Sequence, residues 1–541
     1  MEMMTPSQVW AGYDPKNEDL KVKLLSEETN KRTYAFVAMS DGEEDVVIEI
    51  NVFLPESPTI KTVLLVGEYD RLPQQDLIED LVSKKYMVCY ADYSATKEDT
   101  ATSFPASLSY GVFANAGEHI SKLSPSPKDT CQYLYSLIIR RAITFINQEL
   151  NQQDIVLVGI KTGVEIAIQV TGTDNRLLAL ACIGGAGYME YLDKPKYAGE
   201  ETPLNDELMA WLTSVSSVAY AKHIKIPVLF SVGSNGKLND IDRLSNIITL
   251  MTESDSRINI SPRHIDNISK KSYNNFIKWL EGVFLYSTPP EIPVMDINVN
   301  TEGAVYASIT TDSSIEISGV KVYYSYGDNN HSTRYWSSTP GENAGDADYL
   351  AKMAVSQENG HLYAFCQVTY KNGIILSSIV YHLDLSNYKI DAETISFNPI
   401  VFQYSTHLGD FTEVRKDAII LNQSITENEL PAGIKGLKCD LGSMVTFFTP
   451  CEELSDTKLL QIDTYSEAKT YNLSITIICS KGDSKEYYCE KTINVSDSFF
   501  SLRLSVNDFK DKDYLPLDNW QYARGLIVNS IGITVGKIMF I

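Results

Sequence analysis

A strand-like run, DIVLV at 154–158, leads straight into Gly159-Ile160-Lys161-Thr162-Gly163 and then into VEIAIQV, a segment with a helical pattern. Small residues at the first and fifth places of a tight strand-to-helix turn are what a nucleophile elbow requires. Its middle residue is strained, and neighbouring backbone passes too close for side chains. The middle place here holds Lys161. A lysine amine is protonated near neutral pH unless strongly desolvated, and it forms no hydrolysable ester-type intermediate. Shifting the register to make Thr162 the nucleophile would put Ile160 where a small residue is needed. The plainest expectation is that Lys161 fills the vacated place and pairs with a carboxylate, Asp240, Asp242 or Glu190.

The elements around this turn must place it at the end of a parallel sheet. Before Pro289, short continuous apolar runs of the kind buried on both faces alternate with amphipathic stretches. The runs are Thr62 to Val66, Tyr86 to Ala91, Ile155 to Val158, Leu178 to Ile183 and Val228 to Val232. Between them Cys131, Leu134, Ile138, Ala142 and Phe145 recur at helical spacing, as do Leu244, Ile247, Ile248 and Met251. Alternation of this kind predicts a doubly wound sheet with helices on both faces, and chemistry in such a sheet gathers at the carboxyl ends of the strands. Residues from about 20 to 55 read as an antiparallel entry to it.

GIKTG, the amphipathic helix from Lys128 to Glu149, TDNRLLALACIGGAG, IPVLFSVGSNG and a late SPRHID followed by a terminal helix occur in one order. On these residues the stretch from about 5 to 285 resembles the α/β-hydrolase family, in particular its acetyl xylan esterase and dienelactone-hydrolase-like members. The resemblance implies a Ser-Asp-His triad and an oxyanion amide. Carried over place by place, the serine's position holds Lys161, and the acid's position in Gly233-Ser234-Asn235-Gly236 holds Gly236. The general base's position holds His264, and the oxyanion amide belongs to Thr162. The family's early His-Gly is replaced by Val66-Gly67, and Asp240 or Asp242 could stand in for the acid from further along the loop. If Lys161 lay beside His264, like-charge repulsion would lower the histidine's proton affinity. The expectation is a catalytically degenerate α/β-hydrolase-like protein, a pseudo-esterase with a binding or assembly role. Two alternatives stand beside it: an active carbohydrate esterase or deacylase with a displaced nucleophile such as Ser231 or Ser234, and a carbohydrate-binding multidomain protein.

Beyond the proline-stiffened STPPEIPV at 287–294 the helical patterns vanish. Residues 291–395 read as an immunoglobulin-like or fibronectin-like sandwich, with Asn372-Gly373 as a hairpin turn. Residues 396–541 read as a jelly-roll sandwich whose end resembles the galactose-binding-like folds of carbohydrate-binding modules. The fold class is therefore α/β plus all-β, divided at 1–290, 291–395 and 396–541. Trp336, Trp520 and Tyr522 could form a flat platform for a sugar ring, although aromatic side chains of this kind are more often core.

Composition narrows the partners. The chain has 541 residues with 46 basic and 70 acidic side chains, a formal charge of −24. So acidic a surface repels phosphate backbones and anionic lipid headgroups, which leaves a glycan or a protein as the expected partner rather than nucleic acid or membrane. No run approaches the roughly 18 to 20 apolar residues that cross a bilayer. MEMMTPSQVW has neither the basic nor the apolar region of a signal peptide, so a cytoplasmic location is expected if Met1 is the native start. Eight cysteines lack metal-finger spacing, no paired histidine motif suggests a metal, and the Gly-rich nucleotide fingerprints are absent, so no cofactor is expected. The pairs Cys439/Cys451 and Cys479/Cys489 are left open as disulfides.

Overall fold

The protein is described here from a computed structural model. It covers residues 3–541 except 42–43, 58, 70, 96–98, 106–125, 188–193, 198–203, 356–359, 392–399, 404–410, 416–418, 422–424, 430–434, 449–457, 467–469, 482, 495–498 and 530. Glu190, His119, His407 and Cys451 lie outside the described residues.

The antiparallel entry consists of β1 (Lys23–Glu27), β2 (Lys31–Asp41) and β3 (Glu44–Phe53). There follow β4 (Thr62–Val66), α1 (Gln75–Ser83), β5 (Met87–Ala91), α2 (Cys131–Gln148), β6 (Ile155–Ile160), α3 (Gly163–Thr171) and β7 (Leu177–Ile183). After helices at 206–214 and 217–221 come β8 (Val228–Gly233), α4 (Ile241–Leu250), β9 (Ser256–Ser261) and α5 (Lys270–Phe284). All nine strands form one sheet in the order β1-β2-β3-β5-β4-β6-β7-β8-β9, and β4 to β9 run parallel. Strand side chains alternate between two cores, as a doubly wound sheet requires. In β4, Leu64 and Val66 face α2, α3 and α4, whereas Val63 and Leu65 face α1 and α5. Cys89 and Cys182 are buried in β5 and β7, where burial pushes both thiols upward.

One strand was not expected. In β9, SRINIS, apolar side chains alternate with Asn259 and Ser261, so it lacks the continuous apolar run of its neighbours. Its burial is completed by the region beyond residue 290. Asn259 Nδ2 donates to the Ile375 carbonyl at 3.0 Å, and the Ile260 amide donates to Ser377 Oγ at 3.0 Å.

From Val294 onward every pairing among the described strands is antiparallel, apart from a two-residue parallel contact. A four-stranded sheet (Val294–Val299, Val305–Thr310, Asp348–Met353, Glu342–Asn343) packs on a five-stranded sheet built around Ile317–Tyr326 and His361–Tyr370. Met295, Ala307 and Ile309 of one meet Val322, Ala364 and Cys366 of the other. The Asn372-Gly373 turn forms as expected, with Gly373 at φ 84° and its amide donating to the Tyr370 carbonyl at 2.8 Å. A second pair of sheets, built around Thr534–Phe540 and Leu460–Tyr465 on one side and Thr470–Lys481 and Ala523–Asn529 on the other, shares a core of Ile462, Ile538, Ile475 and Leu526. Cys479 lies opposite Lys485 and Cys489 opposite Ile475, so these two buried thiols are out of register and unbridged. The second pair also reaches the α/β portion. Ile268–Ser269 pairs with Ile420–Leu421, and Ile419 is buried in the core around α5.

Candidate functional site

In the sheet order the chain steps from β4 to β5 on one side and then crosses back to β6 on the other. This makes the gap between β4 and β6 the topological switch point, whose carboxyl end is the usual ligand crevice of an open α/β sheet. The residues just beyond these strand ends are Gly67-Glu68 and Lys161-Thr162-Gly163.

The elbow is present in full geometry. Lys161 has φ 48°, the left-handed conformation of a nucleophile position, and α3 begins two residues later. Its amide donates to the Ile183 carbonyl at 2.8 Å. A Cβ on Gly163 would lie 2.2 Å from the Gly67 oxygen, and one on Gly159 would lie 2.8 Å from both Val164 Cα and Ala167 Cβ. Gly185 is equally constrained, since a Cβ there would stand 2.3 Å from the Lys161 oxygen. Backbone on every side therefore fixes the turn, although its central side chain is an amine.

That amine is engaged. Lys161 Nζ lies 3.2 Å from Glu68 Oε1, with the two side chains only 7% and 17% exposed. Asp266 is a second acidic neighbour. Burial pushes its carboxyl upward, while the Leu238 amide, at 2.7 Å, and the charge of Lys161 favour ionisation. The partner of Lys161 is thus Glu68, which follows β4. Asp240 and Asp242, the described candidates, are committed elsewhere.

Where the acid would stand, a Cβ on Gly236 would meet Asn239 Oδ1 at 2.0 Å, and Asn239 is anchored by donating to the Gly233 carbonyl at 2.6 Å. Asp240 caps α4, accepting from the amides of Asp242 and Arg243 at 3.0 and 3.2 Å, and forms an ion pair with Arg243. Burial opposes its ionisation, but His331, Arg243 and Arg334 outweigh it and hold the carboxyl below its ordinary value. Asp242 accepts from both terminal nitrogens of Arg334 at 2.7 Å, and both side chains are 0% exposed. Asp240, Asp242 and His331 bring donor atoms within 4.8 Å of one another, a grouping of metal-ligand type. Guanidinium cations already neutralise both carboxylates, so the charge a metal would supply is in place.

His264 Nδ1 lies 2.8 Å from the Pro262 carbonyl. Burial lowers its proton affinity and the Pro262 carbonyl opposes this, whereas the charge of Lys161 acts on Asp266. The expected repulsion between Lys161 and His264 is therefore replaced by desolvation. Among the described residues Thr162 Oγ1 is buried without a hydrogen-bond partner. Of the serines considered as displaced nucleophiles, Ser231 Oγ is likewise buried and unpartnered, and Ser234 Oγ donates to Asn235 Oδ1 at 2.8 Å while accepting from the Arg263 amide at 2.6 Å.

Sequence reasoning missed what covers the loop after β8. His331 Nε2 lies 3.0 Å from the Gly236 carbonyl, and Asn235 Nδ2 donates to the carbonyls of Ser332 and Arg334 at 3.3 and 2.8 Å. Arg263 donates through Nε and a terminal nitrogen to the Trp336 carbonyl at 3.0 and 2.7 Å. HSTRYW is thus a plug seated on the loop that would carry the acid. The only available signal was an Arg between polar residues in an otherwise acidic stretch. Trp336 and Trp520 are each 0% exposed, packed edge-on to Phe365 and Phe509, and Tyr522 is half-buried against the second core. Neither indole presents a platform to solvent, because both complete cores. His361 and His382, unpaired in sequence, meet across strands at 2.9 Å.

No family model and no curated protein matches the chain. Among solved structures it is similar to an acetyl xylan esterase from Paenibacillus sp. R4, at 12% identity and TM-score 0.40 over 50% of this chain and 90% of that one. Acetyl xylan esterase 1 from Thermoanaerobacterium sp. JW/SL YS485 gives 12% and 0.38 over 50% and 90%. A thermostable carboxyl esterase from Bacillus coagulans gives 10% and 0.33 over 48% and 98%. Likeness at this level says nothing of substrate or activity. The α/β portion is α/β-hydrolase-like by its own sheet order and elbow. Among the described residues no helix is long and apolar enough to cross a membrane.

Proposed function

We propose that the chain is a catalytically degenerate α/β-hydrolase-like protein whose scaffold serves binding or assembly rather than ester cleavage. The observation that carries this reading is the Lys161–Glu68 ion pair at the switch point. An amine paired with a carboxylate 3.2 Å away occupies the place from which a nucleophile would attack. Two further features support it. Gly236 has no room for an acidic side chain, and the Nδ1 edge of His264 is bound to Pro262, not to a triad carboxylate. An oxyanion amide at Thr162 stabilises nothing in the absence of a nucleophile that generates the oxyanion. In this reading residues 1–290 form the hydrolase-like unit, 291–395 an immunoglobulin-like or fibronectin-like sandwich, and 396–541 a jelly-roll sandwich that binds a glycan or a protein.

The test is turnover of p-nitrophenyl acetate and acetylated xylo-oligosaccharides by the full chain. No hydrolysis above the rate of a heat-denatured control is expected, and Lys161→Ser alone should not restore it, because the acid is still missing. Turnover that His264→Ala abolishes would overturn the reading in favour of a displaced nucleophile.

A further inference from the structure

We propose that His361 and His382 form a cross-strand site for a divalent transition-metal ion, held by two imidazoles at right angles with water in its remaining positions. His382 Nε2 lies 2.9 Å from His361 Nδ1. A contact of that length holds one proton between the two nitrogens, so one of them presents a bare lone pair. A metal about 2.05 Å from each nitrogen would see them at roughly 90°, whereas a tetrahedral ion would need them roughly 3.3 Å apart. The spacing therefore suits the tetragonal or octahedral preference of copper(II) and nickel(II) better than that of zinc. The ring planes are inclined at 42°, and a modest rotation of each turns both lone pairs onto one point.

Both rings stand on paired strands. His361 opens the strand His361–Tyr370, and His382 lies in the strand Tyr381–Asp384. The two strands pair antiparallel, with His361 opposite Asp384 and Tyr363 opposite His382. His361, Tyr363, His382 and Asp384 thus share one face of the sheet, the imidazoles as diagonal neighbours. His382 is braced further by stacking on Tyr197 of the α/β portion, ring centroids 4.5 Å apart, and on Tyr363 at 5.1 Å. Tyr363 is itself fixed, its hydroxyl donating to Asn329 Oδ1 at 2.9 Å. Rigid elements and packed rotamers are what a metal site requires of its supports.

The surrounding charge favours a cation. Asp384, opposite His361, accepts from the Ser386 amide and hydroxyl at 3.0 and 2.6 Å, which keeps a negative charge beside the pair. Arg334, a cation whose charge reaches His382, is matched by both oxygens of Asp242. Residues 291–400 hold 13 acidic and 5 basic side chains, so the field of this part of the chain attracts positive ions. No local spacing announces the site, because a β-ladder brings the two histidines together. The inference is independent of the degenerate elbow, since neither Lys161 nor Glu68 takes part in it.

Calorimetric titration of the full, tag-free chain with Cu²⁺, Ni²⁺, Zn²⁺ and Mg²⁺ in a non-coordinating buffer tests it. Saturable one-to-one binding of Cu²⁺ and Ni²⁺ is expected, weaker binding of Zn²⁺, and none of Mg²⁺, a hard ion that prefers oxygen ligands. His361→Ala and His382→Ala should each weaken Ni²⁺ binding by at least the roughly tenfold that losing even a hydrogen-bond partner of a metal ligand costs. His223→Ala, outside the site, should leave it unchanged. Because His382 also packs against two tyrosines, NMR of the unaltered protein supplies a second readout: Ni²⁺ should broaden the imidazole signals of His361 and His382 first and leave that of His223 sharp. No saturable binding, Zn²⁺ bound more tightly than Ni²⁺, equal binding of Mg²⁺, affinity unaltered in both site variants, or first broadening at another histidine would overturn the proposal.

Discussion

Lys161 keeps φ 48°, a conformation that costs a non-glycine residue roughly 1–2 kcal/mol, although the hydroxyl chemistry that elbow strain usually serves is absent. The pairing with Glu68 explains what holds it there. Removing the carboxylate while leaving the buried ammonium is the damaging change. Glu68→Gln should destabilise the protein by about 2–3 kcal/mol, below the full cost of breaking a buried pair because Glu68 is partly exposed and Asp266 remains. Lys161→Met, which removes the charge that needs a partner, should cost less. Urea unfolding of the two variants checks the order, and equal losses would refute it. At His264 the sign is set by burial. Its folded proton affinity lies below the ordinary 6.5, so the unfolded chain binds more protons between the two values. This histidine's contribution is complete above the ordinary value and is lost as pH falls through the folded one. His223 and His382 shift the same way, so stability should decline on acidification, and less steeply in His264→Gln, as thermal unfolding against pH would show. The identities of Lys161, Gly236 and His264 were legible in sequence. Glu68 as the partner was not, because a switch point brings together strand ends nearly a hundred residues apart.

The elements were legible wherever burial on both faces leaves an uninterrupted apolar run, as in TVLLV of β4 and MVCYA of β5. They were not where burial depends on a distant partner. Asn259 and Ser261 interrupt β9, and they are accommodated because Asn259 Nδ2 donates to the Ile375 carbonyl, the Ile260 amide between them donates to Ser377 Oγ, and Ser261 Oγ bonds Ser272 Oγ. That docking also shields the last strand of the parallel sheet, whose open edge would otherwise present unpaired backbone. At the elbow, element packing makes a sharper prediction. A Cβ on Gly163 would meet the backbone oxygens of Gly67 and Val66 at 2.2 and 2.4 Å, atoms that cannot swing aside as a side chain could. Gly163→Ala should therefore cost about 3 kcal/mol or more by forcing α3 away from the end of β4. Gly532→Ala, where no described residue has an atom within 4 Å of the added Cβ, should show only the strain of φ 74°. Circular dichroism melts of the two variants separate packing from backbone strain, and equal losses would mean that α3 yields easily.

For the whole molecule, the change from helices to antiparallel strands after residue 284 was visible in the proline-rich 287–294 stretch, whereas the way the parts fasten together was not. The fastening is made by polar side chains in loops, which carry no periodicity. Its centre is Arg334, which donates to both oxygens of Asp242, lies 3.4 Å from the Tyr363 ring centroid, and is fully buried with its partner. The neighbouring Asp328 accepts from Thr333 and from Ser480 at 2.7 and 3.2 Å, so the same plug touches the second sheet pair. Burying two charges costs solvation that their attraction only partly repays, and losing one partner leaves the other desolvated and unpaired. Arg334→Met should accordingly cost about 3–5 kcal/mol, and Asp242→Leu a similar amount, whereas the double variant should lose far less than the sum. Denaturant unfolding of the full double-mutant cycle measures this coupling. If the losses simply add, the pair does not fasten the plug to the loop after β8. A positive coupling, together with faster proteolysis of the 287–294 stretch in Arg334→Met alone, would place the fastening energy at that one buried contact.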